Sequence, residues 1–168
     1  MHDGTFGPGL SGKTTLAQAR SLAYFRATGR KSIVFDPNVD AWGPHAYVTN
    51  SRGTFLDSVW KSRSCEIWAE EAAVTIARDR DLMELFTRIR HNGHRLHVIG
   101  HSGSDLLPGM RQQLTRLFLF RQPRSAAEVW AELFAEEKIL AACELAQFDF
   151  LDCELYRAPV RRRLALPA

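Results

Sequence analysis

Short apolar runs alternate along this chain with longer stretches whose apolar positions recur every third or fourth residue, so strands and helices take turns. Ser32-Ile33-Val34-Phe35 is one such run, and Asp36-Pro37-Asn38 ends it, which predicts a buried strand followed by a turn. Ahead of it, Leu16, Ala19 and Ala23, with Leu22 and Phe25, place a helix over Thr14 to Thr28 that Gly29 stops. Beyond it, Ala46 to Thr49 reads as a strand and Thr54 to Lys61 as a short helix with Phe55, Leu56 and Val59 inward. Cys65 to Ala69 is a further apolar strand, and it runs into Glu70-Glu71. Asp79 to His91 is an amphipathic helix through Leu82, Leu85, Phe86 and Ile89, closed by Asn92-Gly93. Leu96 to Gly100 and Thr115 to Arg121 are buried strands. Ser125 to about Leu145 is helical, with Ser125 as N-cap and Glu128 completing a capping box. Phe148 to Tyr156 adds a last strand, and the segment after Pro159 reads as an exposed tail. Strand, loop, helix and strand in succession make βαβ units with right-handed crossovers, hence an α/β fold around a mainly parallel sheet.

Near the start of the chain, Gly7-Pro8-Gly9-Leu10-Ser11-Gly12-Lys13-Thr14 reads G-x-x-x-x-G-K-[ST], with Thr15 following. This spacing suits a loop whose backbone N–H groups wrap a nucleotide phosphate, because a Cβ at the glycines would block close approach or φ > 0. Lys13 then supplies charge at the β- and γ-phosphates, and the Thr14 hydroxyl ligates Mg²⁺. The positive end of the following helix faces the same phosphates. Only six residues precede the loop, and they are not a hydrophobic strand. The strand a phosphate loop hangs from is therefore either a stub around Gly4 to Phe6 or part of a longer natural chain.

An apolar strand ending in two acids is the second half of such a centre: the first acid organises the Mg²⁺ shell and the second polarises attacking water. Here both are glutamates, Glu70 and Glu71, where Asp then Glu is usual. Asp36 falls at the carboxyl end of its strand, where ligands collect in doubly wound folds, although capping the turn before Pro37 is its simpler role. Histidines at 91, 94, 97 and 101 cross a helix end, a turn and a strand, so they do not converge as metal ligands. His101 stands apart, because a polar residue at that strand end can sense the γ-phosphate.

Length and charge refine this picture. A chain of 168 residues with 45% apolar content supports one domain with a substantial core. No run approaches membrane-spanning length, and the N-terminus lacks a signal pattern. Cys65, Cys143 and Cys153 lack paired spacing, which predicts reduced thiols in a cytoplasmic compartment. The net charge is only +3, yet arginines gather at 88, 90, 95, 111, 116, 121 and 124 and again at 161 to 163. That choice of cation suits phosphate recognition, or reflects an arginine-rich proteome.

Taken in order, the phosphate loop, Val34-Phe35-Asp36-Pro37, the acid-tipped strand, the Arg88-Ile89-Arg90-His91-Asn92-Gly93-His94 helix end, the strand ending at His101 and an arginine-flanked final strand resemble the HerA/FtsK-type ATPases. The similarity is greatest to genome-packaging ATPases of membrane-containing phages and their Zot-like relatives, over roughly Gly4 to Arg157. It implies a P-loop NTPase three-layer sandwich of RecA/HerA-FtsK type, spanning residues 1–158, with 159–168 as a basic tail. It also implies ATP and Mg²⁺ as cofactors, a homo-oligomeric ring (commonly a hexamer) and double-stranded DNA bound without sequence preference. A partner at a membrane or capsid vertex, and a place in host cytoplasm or virion, go with that reading. Carried over residue by residue, Lys13, Glu70, Glu71 and His101 are catalytic, Gly7 to Thr15 bind nucleotide, and Thr14 and Glu70 serve the metal. Arg88, Arg90 or Arg95 provides the finger that reaches a neighbour's site, and the Arg111 to Arg116 region lines a DNA channel. Two other readings stay open: a small-molecule P-loop kinase with Arg121-Gln122-Pro123-Arg124 as a lid, and a nucleotide-binding assembly or secretion factor.

Overall fold

In the computed structural model, which describes residues 2–71 and 80–165, an eight-stranded sheet has the order β3-β2-β4-β5-β1-β6-β7-β8. The strands are β1 His2–Phe6, β2 Ser32–Phe35, β3 Ala46–Thr49, β4 Glu66–Ala69, β5 Arg95–Gly100, β6 Leu114–Leu119, β7 Asp149–Glu154 and β8 Val160–Arg163. Every pairing from β3 to β6 is parallel, and β7 and β8 add an antiparallel ribbon at one edge. The helices are α1 Lys13–Thr28, α2 Arg52–Lys61, α3 Arg80–Thr87, α4 Pro108–Arg111 and α5 Arg124–Phe134. One face of the sheet packs Phe55, Val59, Leu82, Leu85, Phe86, Ile89, Trp130 and Phe134 against Phe6, Ile67, Val98 and Leu117. The other face is covered by α1, through Leu16 against Phe118 and Phe150 and Ala17 against Trp68 and Ile99. Helices on both faces give the three-layer α/β architecture expected from the sequence.

The central strand is β1, fully buried although its sequence is His2-Asp3-Gly4-Thr5-Phe6. Phe6 feeds the larger core, while Asp3 points under α1 and accepts a bidentate pair from Arg20 at 3.1 and 2.6 Å. His97 of β5 lies 2.9 Å from the same carboxylate and stacks on Trp68. An ionic cluster thus takes the place of an apolar face, which is why hydropathy does not reveal this strand.

Several boundaries differ from expectation. Ser51 caps α2, accepting from the Thr54 N–H, so that helix begins earlier than Thr54. Among the described residues α3 gives way after Thr87 to a 3-10 turn over Ile89–Asn92; Asp79 lies outside them. Ser125 is not an N-cap: the Pro123 carbonyl already accepts from Ala126 and Ala127, so α5 starts at Arg124. Glu128 then receives Arg124 at 2.9 Å in place of a capping box. That helix stops at Phe134, where Ala135 turns left-handed at φ 50, and a 3-10 stretch follows over Glu137–Glu144. Nor does the sheet end before Pro159. Val160–Arg163 pairs with β7, and Leu164 is buried behind it.

Candidate nucleotide site

The phosphate loop follows from how β1 is held. The Phe6 carbonyl accepts from Phe120 N–H and the Gly7 N–H donates to the Gly100 carbonyl, so neighbouring strand ends clamp the start of the loop. A Cβ at Gly7 would come within 2.6 Å of Phe120, which no side chain tolerates. Gly12 sits at φ 104, in the left-handed region glycine favours, and a Cβ there would also meet Leu164 at 2.6 Å. Gly12 is the N-cap of α1; no side chain caps that end, and no acidic residue occupies the first turn. Its amides are therefore open to an anion, with the helix dipole pointing the same way. The buried Ser11 hydroxyl has no hydrogen-bond partner among the described residues. Lys13 curls back over the loop and donates to the Pro8 carbonyl at 2.8 Å. Burial lowers its pKa, against the pull of Glu70 and Glu71. An uncapped helix end, an orphaned hydroxyl and a half-buried ammonium fit a phosphate chain.

The acids arrive from β4. The Glu70 N–H is fixed to the Phe35 carbonyl at 2.9 Å, beside Asp36. The Thr14 hydroxyl donates to Glu70 Oε1 at 2.5 Å, joining loop and acid pair across the sheet edge. Two hard oxygen donors side by side fit the outer shell of a hydrated magnesium ion. Burial, with help from Asp36 and Glu71, raises the Glu70 pKa to about 7, while Thr14 and Lys13 oppose the rise. Without metal this has a stability consequence. The unfolded carboxyl ionises near 4.5 and the folded one near 7, so stability declines as pH rises across that window. Glu70→Gln is expected to raise stability in EDTA at pH 8 by on the order of 1–3 kcal/mol and to gain nothing at pH 4. Urea melts at both pH values check this, and an equal gain at both would refute it.

Glu71 follows at φ 50, a left-handed conformation uncommon outside glycine, and His101 Nε2 lies 3.7 Å from its carboxylate. The structure therefore brings together Gly7 to Thr15, Glu70, Glu71 and His101 at one sheet edge. Asp36 lies close by, but its carboxylate accepts from Asn38 N–H, Asp40 N–H and Trp42 Nε1, so it caps the turn before the buried Trp42. Arg88 and Arg90 are not part of this cluster. Arg88 precedes and Arg90 lies within the 3-10 turn that leads into the start of β5, and in a parallel sheet strand starts lie at the edge opposite the loop. Arg88 is held by Glu84 at 3.0 Å, and Arg95 is exposed at the first position of β5. The Arg111 to Arg116 region is not a free basic loop. Arg111 donates to the Gly103 carbonyl, and Arg116 lies inside β6 with both arms on Asp152 at 2.8 Å. His94 accepts from the Cys65 N–H, while His97 belongs to the Asp3 cluster.

Sequence reasoning missed the supports beneath the loop. Gln147 donates to the Leu10 carbonyl at 3.3 Å, and Phe148 and Leu164 pack under Gly12. These residues are distant along the chain and carry no motif, so only the returning β7–β8 ribbon reveals them.

No family model and no curated protein matches the chain. Solved structures do. The genome packaging NTPase B204 from Sulfolobus turreted icosahedral virus 2, in complex with AMP, superposes with TM-score 0.80 at 17% identity, covering 98% of this chain and 97% of that one. This chain shares the fold of that packaging NTPase. The cytoplasmic domain of the Thermomonospora curvata type VII secretion ATPase EccC gives TM-score 0.69 at 15% identity, over 98% of this chain and 25% of that one. The N-terminal domain of zonular occludens toxin from Neisseria meningitidis gives 0.59 at 11% identity, over 99% and 94%. The resemblance read from the residues thus holds at the level of fold, for both its packaging and its Zot-like branch. Among the described residues no helix is long and apolar enough to cross a membrane.

Proposed function

We propose that this chain is a motor subunit that hydrolyses Mg-ATP and moves double-stranded DNA, as in viral genome packaging. The observation that carries this is the Thr14–Glu70 hydrogen bond, which unites the phosphate loop with the acid pair. The loop amides and Lys13 bind the triphosphate and hold its leaving oxygens. Thr14 and Glu70 would hold a magnesium ion, whose charge would offset that of the triphosphate. Glu71 accepts a proton from the water that attacks the γ-phosphorus in line, and ADP and phosphate leave. His101, beside Glu71, registers whether the γ-phosphate is present. Likeness to a packaging NTPase supports the DNA-moving role, and in this reading the subunit works in the cytoplasm or virion.

Arg88 and Arg90 lie at the edge opposite their own site, so in this reading they serve a neighbour's site within a ring. An arginine supplied in trans is worth about 10³–10⁵ in rate in other NTPases. Specific ATPase activity should therefore climb steeply with protein concentration, and climb further with duplex DNA. Activity independent of both would defeat the ring-motor reading. A second reading has one observation in its favour. A cavity of about 580 Å³ beside Pro8, bordered by Arg121, Gln122 and Arg124, has room for a phosphoryl acceptor. Release of all γ-phosphate as free phosphate favours the motor; its appearance on a small alcohol or nucleoside favours the kinase.

A further inference from the structure

The sheet ends on β8, whose residues Val160-Arg161-Arg162-Arg163 are all exposed and whose outer side pairs with no strand among the described residues. Beneath it, β7 carries two buried aspartates, and each holds two guanidinium groups. Asp149 accepts from Arg161 at 2.6 Å and Arg163 at 3.0 Å. Asp152 accepts from Arg116 at 2.8 Å and Arg162 at 2.9 Å. One carboxylate neutralises one cation, so each cluster retains a positive charge. Because side chains alternate along a strand, Arg162 leans to the face that α1 covers and Arg161 and Arg163 to the other. The edge therefore presents cations on both sides, held by buried anchors yet 54–69% exposed.

We propose that this edge binds the backbone phosphates of double-stranded DNA; the choice of duplex rests on the motor reading above. Arg161 and Arg163 stand roughly 7 Å apart along an extended strand, a spacing comparable to that of successive phosphates on one nucleic acid strand. Guanidinium forks already oriented by aspartate lose little entropy on meeting a phosphate. A row of cations also opposes edge-to-edge pairing with a second copy, which leaves a polyanion as the occupant that fits. The strand connects to the nucleotide loop as well. It runs directly into Leu164, whose N–H donates to the Phe148 carbonyl at 2.8 Å and whose side chain lies beneath Gly12.

The doubled arginines make a clean test. Arg161→Gln with Arg162→Gln leaves Arg163 on Asp149 and Arg116 on Asp152, so neither buried carboxylate is orphaned. Fluorescence anisotropy with a labelled duplex across a salt series is the measurement. Each lost phosphate contact removes about 0.9 from the slope of log affinity against log salt. The double variant should bind about 60-fold more weakly at 0.1 M salt, with a slope shallower by about 1.8. Val160→Glu, opposite Asp152 in register, adds a negative charge to the edge and should also weaken binding. The charge-matched control Arg26→Gln with Arg30→Gln, at another surface, should do neither. Equal losses in edge and control variants, or unchanged binding in the edge variants, overturn the surface alone. Wild-type protein that ignores duplex DNA, or binds phosphatidylserine vesicles in its place, overturns both the surface and the DNA-moving reading.

Discussion

Glu71→Gln is expected to lower steady-state ATP turnover by about 10²–10⁴-fold, the range a positioned general base contributes. The substitution keeps the size and hydrogen-bonding reach of the side chain and removes only its ability to take a proton. Nucleotide affinity rests elsewhere, on the open amides of α1, the Gly12 turn and the Lys13 ammonium. Binding of a non-hydrolysable ATP analogue should therefore stay within about a factor of two. Lys13→Ala should show the reverse pattern, losing the analogue before any question of chemistry arises. Measured together, the two variants separate hydrolysis from binding. If Glu71→Gln keeps wild-type turnover, Glu71 is not the base and the His101–Glu71 approach at 3.7 Å is incidental. If wild type itself binds ATP without hydrolysing it, the assembly-factor reading replaces the motor.

What the sequence reveals and what it conceals divide along physical lines. The phosphate loop is legible because its glycines answer to local backbone demands: Gly12 at φ 104 and Gly7 against Phe120 permit no other residue. The acid pair is legible because Ile67, Trp68 and Ala69 form a buried apolar run that leads straight into the two acids. β1 reads in the sequence as no more than a stub around Gly4 to Phe6, because its inward polar residues are satisfied by groups far away in sequence, Arg20 and His97. β8 escapes for the same reason: hydropathy registers three arginines and cannot see the aspartates that receive them. Arg116 misleads in the opposite sense, since a cation in a strand resembles a free basic residue until Asp152 is placed beside it. Ser125 and Glu128 match a capping box in type and spacing, yet the Pro123 carbonyl opens the helix first. Local chemistry can be read along one dimension, whereas long-range ionic partners must be seen in space.

The largest stability effect is expected from Asp3→Asn, a loss of about 3–5 kcal/mol near pH 5.5, as when one partner of a buried ion pair is removed. Burial pushes the Asp3 carboxyl up, but His97 and Arg20 outweigh it and hold the group below the ordinary carboxylate range. Burial likewise pushes His97 down, and the Asp3 carboxylate more than reverses that. The two shifts bound a pH window. Asp3 contributes fully above its unfolded pKa of 3.8, and the contribution is lost as pH falls through the folded value. His97 contributes fully below 6.5, and its share is lost as pH rises through its folded value. The penalty of the variant should therefore peak between about pH 4 and 6.5 and shrink on either side. Asparagine preserves the shape of the site but leaves the Arg20 guanidinium, packed on Trp68 and Phe118, without its counter-charge. Urea unfolding of both proteins from pH 3 to 9 gives the difference directly. A penalty below about 1 kcal/mol at pH 5.5, or one that does not vary with pH, would mean that packing around Trp68 and Phe118 holds β1 at the centre of the sheet and the ionic cluster only decorates it.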